Sequence, residues 1–188
     1  KPVFTVQARE LIEFVCRRGN LGGEREFVGS GRALAGVRGH QRIQRTRPEG
    51  YRKEVPVAYD IEAEELILRV QGRVDGLLAR AGEVQLEEIK TVQGRWDSTA
   101  DPLHWDQVKV YGSIVAETNT LDRITLRLVY LHLDSNTVTE FDETWSRADL
   151  SAFFNDTTAV YLDWVRERHH WVFERDRSIA ALEFPFIR

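Results

Sequence analysis

Glu88, Ile89 and Lys90 lie in a β-rich stretch, Val84 to Val92, where residues two apart project from the same face. Glu88 and Lys90 therefore point together. Asp75 sits on the preceding β-rich stretch, across a short hairpin, where it can come within a few ångströms of Glu88. Two carboxylates and an ammonium make poor core material, because burying them unpaired is costly. A divalent cation gives the grouping a chemical purpose. Carboxylate oxygens bind Mg2+ or Mn2+, the metal activates a water and neutralises phosphate, and the lysine steadies the attacking oxygen. The same residues also fit an ordinary ion pair on a half-exposed sheet. Glu87, of opposite parity, is expected on the other face, toward solvent or a helix.

Two further pairs bear on that choice. Gly36-Val37-Arg38-Gly39-His40 places a histidine one helical turn beyond a glycine, just upstream of the strands. Gln107 and Tyr111 are four apart, on one face of the helix that follows Lys90. Asp75, Glu88, Lys90, His40, Gln107 and Tyr111 thus come from elements that would surround one sheet edge.

The elements that must position them read as follows. Thr5 can cap a first helix running to about Arg18, broken by Gly19, Gly22 and Gly23, and a second helix covers about Arg32 to Thr46, ending before Pro48. Tyr51 to Ile61, Leu66 to Gln71, Arg73 to Ala79 and Val84 to Val92 read as strands, the last after an Ala-Gly turn. A loop with Gly94 and Pro102 leads to a helix from about Leu103 to Glu117. Ile124 to Leu133 and Val138 to Trp145 pair across the Ser135-Asn136 turn. Ser146 with Asp149 opens a long last helix as a capping box. The expected order is α-α-β-β-β-β-α-β-β-α, an α/β fold with one central mixed sheet flanked by helices.

Composition sets the bounds. A chain of 188 residues with 42% hydrophobic content fits one domain, 1–188, with a packed core. No run of apolar residues is long enough for a transmembrane span, and no signal peptide opens the chain. The single Cys16 excludes an internal disulfide framework and a four-cysteine zinc or iron–sulfur site, and it suits a reducing, cytoplasmic setting. The sequence contains no Met, which points to a piece of a longer polypeptide. The net charge of −4 hides an asymmetry. Residues 1–60 carry 12 basic against 7 acidic side chains, and the remainder 14 against 23. The basic excess, with Arg38, Arg42 and Arg45 at its centre, fits either a solvated helix face or a phosphate-binding surface.

Taken in order, Gly36…His40, Gly72-Arg73-Val74-Asp75, Glu88-Ile89-Lys90-Thr91 and Gln107-Val108-Lys109-Val110-Tyr111 resemble the motifs of the PD-(D/E)XK nuclease superfamily. The likeness is to its RecB-like branch, which includes AddAB-type and CRISPR adaptation nucleases. That resemblance implies a restriction-endonuclease-like α/β fold. It implies that Asp75, Glu88 and His40 ligate a divalent metal, with the Ile89 carbonyl completing the set. Lys90 would be the catalytic lysine, and Gln107 and Tyr111 would position the scissile strand. Glu54 matches a less decisive family glutamate, or pairs with a nearby arginine. Many relatives pin their termini with a four-cysteine cluster. This chain cannot, so packing must do it, and the last helix with Phe153, Phe154, Tyr161, Trp164 and Trp171 is the agent expected. Those aromatics read as core rather than as a base-stacking platform.

The remaining polar and aromatic candidates are His104, one turn before Gln107, and His132, His169 and His170. Trp96 and Trp105 flank the cleft loop and read as packing before stacking. The segment Phe184-Pro185-Phe186 resembles the lead-in of XPD/DinG-type helicases, some of which carry such a nuclease at the N-terminus. The resemblance therefore implies a metal-dependent deoxyribonuclease that takes Mg2+ or Mn2+. It would prefer single-stranded DNA or ends, and would act in repair or recombination beside a helicase domain. A histidine among the ligands leans toward Mn2+. The rivals are a catalytically inactive nuclease-fold clamp for DNA and an α/β interaction domain without a nucleic-acid role.

Overall fold

The structure is a computed structural model that describes residues 1–16 and 30–180, with side chains from residue 34 in the second span. The expected helix end at Arg18, the breaks at Gly19, Gly22 and Gly23, the side chain of Arg32 and the segment 181–188 lie outside the described residues. Six strands form one mixed sheet with helices on both faces, the α/β architecture expected of a restriction-endonuclease-like fold. The strands are β1 (Val3–Gln7), β2 (Arg52–Glu62), β3 (Ile67–Arg80), β4 (Glu83–Val92), β5 (Arg123–His132) and β6 (Val138–Ser146). The helices are α1 (Ala8–Val15), α2 (Ser30–Arg45), α3 (Pro102–Thr118) and α4 (Arg147–Ala180).

Two expectations at the element level fail. Thr5 is no helix cap. It lies in β1, which pairs in parallel with Ile67–Gln71, and Gln7 caps α1 through a reciprocal box with Glu10. The stretches Leu66 to Gln71 and Arg73 to Ala79 are one continuous strand, β3, running through Gly72. The glycine is there for space: a Cβ at position 72 would stand 2.6 Å from Cε1 of Tyr111. The remaining helices and strands fall within a residue or two of their expected positions.

β3 organises the site. One edge pairs antiparallel with β2. The other edge is shared, with β1 alongside Ile67–Gln71 and β4 alongside Gly76–Arg80. Between them, residues 72–75 have no strand partner on that side, so the sheet opens. At the opening the Asp75 carboxylate takes over from a backbone carbonyl and accepts from the Ile89 N–H at 2.7 Å.

The core has two parts. The larger lies between the sheet and α1, α3 and α4, and includes Leu11, Leu68, Val70, Leu86, Val110, Ile114, Leu126 and Leu128. The smaller joins Ile43 of α2 to Ile89, Val129 and Leu131 on the opposite face. α2 lies close on that face: a Cβ on Gly39 would come within 2.9 Å of Leu131 and 3.0 Å of Thr91. Asp101 caps α3 by accepting from the Leu103 N–H at 2.8 Å, with Pro102 in the first turn. Ser146 and Asp149 hydrogen-bond reciprocally at the start of α4.

α4 ties the N-terminal elements to the body. Tyr161 and Trp164 pack against Phe14 of α1, and Phe154 is buried. Trp171, expected in the same core, is 61% exposed, because the last turns of α4 run past the edge of the domain. Among the described residues no helix is long and apolar enough to cross a membrane.

Candidate active site at the sheet opening

α2 and α3 pack on opposite faces of β4, and the opening beside Asp75 lets their side chains meet. From the α3 side, Glu88 Oε1 accepts from Lys90 Nζ at 2.9 Å and from Gln107 Nε2 at 3.1 Å. Lys90 also donates to Gln107 Oε1 at 3.1 Å. Gln107 in turn donates to the Tyr111 hydroxyl at 3.3 Å. The i, i+4 spacing of Gln107 and Tyr111 thus becomes one hydrogen-bonded ladder, with Tyr111 seated against Gly72. From the α2 side, His40 Nδ1 stands 3.4 Å from Asp75 Oδ1.

The electrostatics are those of a site short of positive charge. Glu88 is buried, and its second oxygen, Oε2, has no hydrogen-bond partner. Burial, then the nearby Asp75 carboxylate, push its pKa up to about 7 against the pull of Lys90. The hydrogen bond to Asp75 raises the His40 pKa, while burial opposes it. Burial and the charge of Glu88 push the Tyr111 phenol up to about 12.

The donors fit a hard divalent cation. A buried carboxylate oxygen without a partner, a second carboxylate opposite it and an imidazole on the second carboxylate are the oxygen and nitrogen donors that Mg2+ or Mn2+ accepts. Among the described residues no three His, Cys, Asp or Glu side chains stand as a ready-made cluster for an ion. Asp75 is turned to Ile89 and His40, and Glu88 to Lys90 and Gln107.

The other sequence-predicted residues divide. Glu54 stands opposite Asp75 at a break in the β2–β3 ladder, with φ at 50°, a strained conformation for a non-glycine residue. Its carboxylate accepts from Gln44 at 2.9 Å and lies 3.8 Å from Arg73, so the pairing with an arginine is realised. Arg38, Arg42 and Arg45 form an exposed stripe on α2, two, two and five residues from His40, and so turned away from it. Arg42 is held by Asn136 after β5. His104 bonds Tyr130, whose ring Trp96 stacks on at 4.9 Å between centroids, so Trp96 packs as expected. Trp105 packs against the larger core. His132 bonds the Gly94 carbonyl at 2.7 Å. His169 packs edge-on against Phe4, and His170 is exposed.

Sequence reasoning missed two features. Gln44 is buried and donates both to Glu54 and to the Asp75 carbonyl, at 3.0 Å, fixing the backbone of the acid. Its position four residues after His40, on the same helix face, was the available signal. Glu87, expected toward solvent or a helix, is buried in a network on the rear face of β4. Arg47 donates from Nε at 3.1 Å, with its Nη2 2.6 Å from the other oxygen, and the Tyr51 hydroxyl donates at 2.6 Å. Arg47 also meets Glu140 at 2.7 Å, and Arg127 links Glu140 to Asp142.

Comparison with known proteins bears on the family and the fold. The family model of the PD-(D/E)XK nuclease superfamily matches residues 8–185. Among solved structures, the chain is similar in fold to one titled "Crystal structure of SSO0001", at a TM-score of 0.55 and 17% identity, over 83% of this chain and 75% of that one. No curated protein sequence matches the chain.

Proposed function

Because the chain belongs to the PD-(D/E)XK nuclease superfamily, we propose that it hydrolyses DNA phosphodiester bonds with Mg2+ or Mn2+, as a nuclease of the RecB-like type. The observation that carries this reading is the buried, partnerless Glu88 Oε2, set among Asp75, His40 and Lys90 at the sheet opening. A polar atom left unsatisfied at such depth costs about 1–3 kcal/mol, which a structural role does not recover.

In this reading Asp75, Glu88 and His40 hold the ion, with the Ile89 carbonyl beside them. When bound, the ion lowers the pKa of a water and offsets phosphate charge. Lys90, within reach of Glu88 and Gln107, holds its ammonium where the attacking oxygen and the scissile phosphate meet. Gln107 and Tyr111 orient the strand that is cut. The Arg38, Arg42 and Arg45 stripe lies on the far side of α2 from His40. It therefore serves flanking phosphates rather than the scissile one, and brings a salt dependence to binding. Single strands or ends are the preferred substrate, and a helicase domain is the partner that would supply them, in repair or recombination.

A time course on end-labelled linear and on circular single-stranded DNA, with each metal, tests this directly. Wild type is expected to release product only with metal, and Lys90→Ala to lose at least about a hundredfold in rate. Equal release by wild type and Lys90→Ala would overturn the assignment. DNA binding without metal-dependent cleavage would identify an inactive clamp instead.

A further inference from the structure

A cavity of about 230 Å³ lies between α1 and α3, and Lys90, Gln107, His104, Arg9, Glu13 and Asp101 contribute to its wall. It is small for a whole ligand of drug size and suits a single polar group.

His104 is presented to this cavity in a fixed chemical form. The Tyr130 side chain is buried, and its hydroxyl accepts from the Asp101 N–H at 3.0 Å. The hydroxyl proton then needs an acceptor, and His104 Nδ1, at 2.7 Å, supplies it. Nδ1 is therefore unprotonated and Nε2 carries the hydrogen. Burial, reinforced by the charge of Lys90, holds the imidazole pKa at about 4, so this neutral tautomer persists at neutral pH. Among the described residues Nε2 has no partner, and it is not among the atoms sealed from solvent. The acids nearby are already engaged: Asp101 accepts from the Leu103 N–H, and Glu13 accepts from Arg9 at 2.7 Å. What the cavity offers a ligand is an oriented N–H beside the Lys90 ammonium and the Arg9 guanidinium.

We propose that this cavity is a subsite for a second phosphate of the nucleic-acid strand, one that is not cleaved, gripped by the His104 Nε2–H with Lys90 and Arg9 beside it. The proposal rests on the nuclease reading above, since it takes the strand already placed at Lys90. It makes His104 a substrate contact that sets which linkage enters the opening.

The test is a binding cycle in chelator, so that no cleavage intervenes. Single-stranded oligonucleotides carry one neutral methylphosphonate at each linkage in turn, or a terminal phosphate that is present or absent. Wild type should lose about tenfold in affinity when the charge at one position is removed, as for a charge-assisted hydrogen bond. His104→Asn keeps an acceptor for Tyr130 but no donor at the Nε2 position. It should bind the charged strand about tenfold more weakly and be indifferent to that substitution. His104→Gln, which restores a donor at that reach, should recover the sensitivity, and melting curves identify any variant that fails to fold. Coupling at an internal linkage or at a terminal phosphate supports the subsite and tells the two sources apart. Losses that simply add in wild type and both variants would overturn the subsite while leaving the nuclease reading in place. Failure of wild type to bind any oligonucleotide would overturn both.

Discussion

Glu87 and Glu88 are adjacent on β4, equally buried, and opposite in every other respect. Glu87, 2% exposed on the α2 side, has both oxygens taken by Arg47 and one also by the Tyr51 hydroxyl. Glu88, 5% exposed on the α3 side, shares one oxygen between Lys90 and Gln107 and leaves the other bare. A buried charge that is fully paired holds structure together, since removing its partner strands it. A buried charge left partly unpaired is held at a cost, and sites where something must bind are where such costs are kept. The strand thus separates anchoring from chemistry by the alternation of its own side chains.

The comparison can be broken first on the rear face. Glu87→Gln should lower stability by about 3–5 kcal/mol in denaturant titrations, because the bonds from Arg47 and from the Tyr51 hydroxyl lose their charged acceptor and Arg47 keeps only Glu140, while cleavage per folded molecule is unchanged. Full stability with abolished cleavage would reverse the two roles.

On the front face the sign of the pH dependence is diagnostic. Glu88 binds its proton at about pH 7 when folded, against 4.5 when unfolded. The stability it contributes is present in full below pH 4.5 and is lost as pH rises through 7, on the order of 3 kcal/mol. Melting curves from pH 5 to 8 should show this decline in wild type and not in Glu88→Gln. Equal pH profiles for the two proteins would remove the distinction between the glutamates.

The smallest effect sharpens the rear face further. Tyr51→Phe removes one hydrogen bond to a charged acceptor and should cost about 1.5–3 kcal/mol in the same titrations. It should leave nucleic-acid binding untouched, and a loss of binding would tie the rear network to the site.

Most of the candidate site was legible in the sequence because its pieces are local. Glu88 and Lys90 share a face by strand parity, and Gln107 and Tyr111 by helical spacing, whatever the rest of the chain does. The elements themselves were legible where periodicity was long, as in α3 and β5. What escaped depended on distant partners. β1 is a five-residue strand whose reason to exist, the edge of β3 at Ile67–Gln71, is some sixty positions away. Gly72 reads as a break because glycine usually is one, and only the Tyr111 ring from α3 shows it to be a clearance. Glu87 reads as facing solvent or a helix because its partners, Arg47 and Tyr51, come from the segment between α2 and β2, some forty positions away. His104 gained its orientation from Tyr130, twenty-six residues further on.

The hydrogen bond from the Ile89 N–H to the Asp75 carboxylate also bears on how such a sequence can drift. Where β3 and β4 part company, that side chain does the work of a missing strand, closing the seam while leaving it wide enough to be used. A lineage that gave up chemistry could replace Lys90 and Glu88 together by apolar residues with little harm to its architecture. At position 75 it would still need an acceptor, so this acid would outlast the activity it served, surviving as Asp or Asn in descendants that bind and no longer cut.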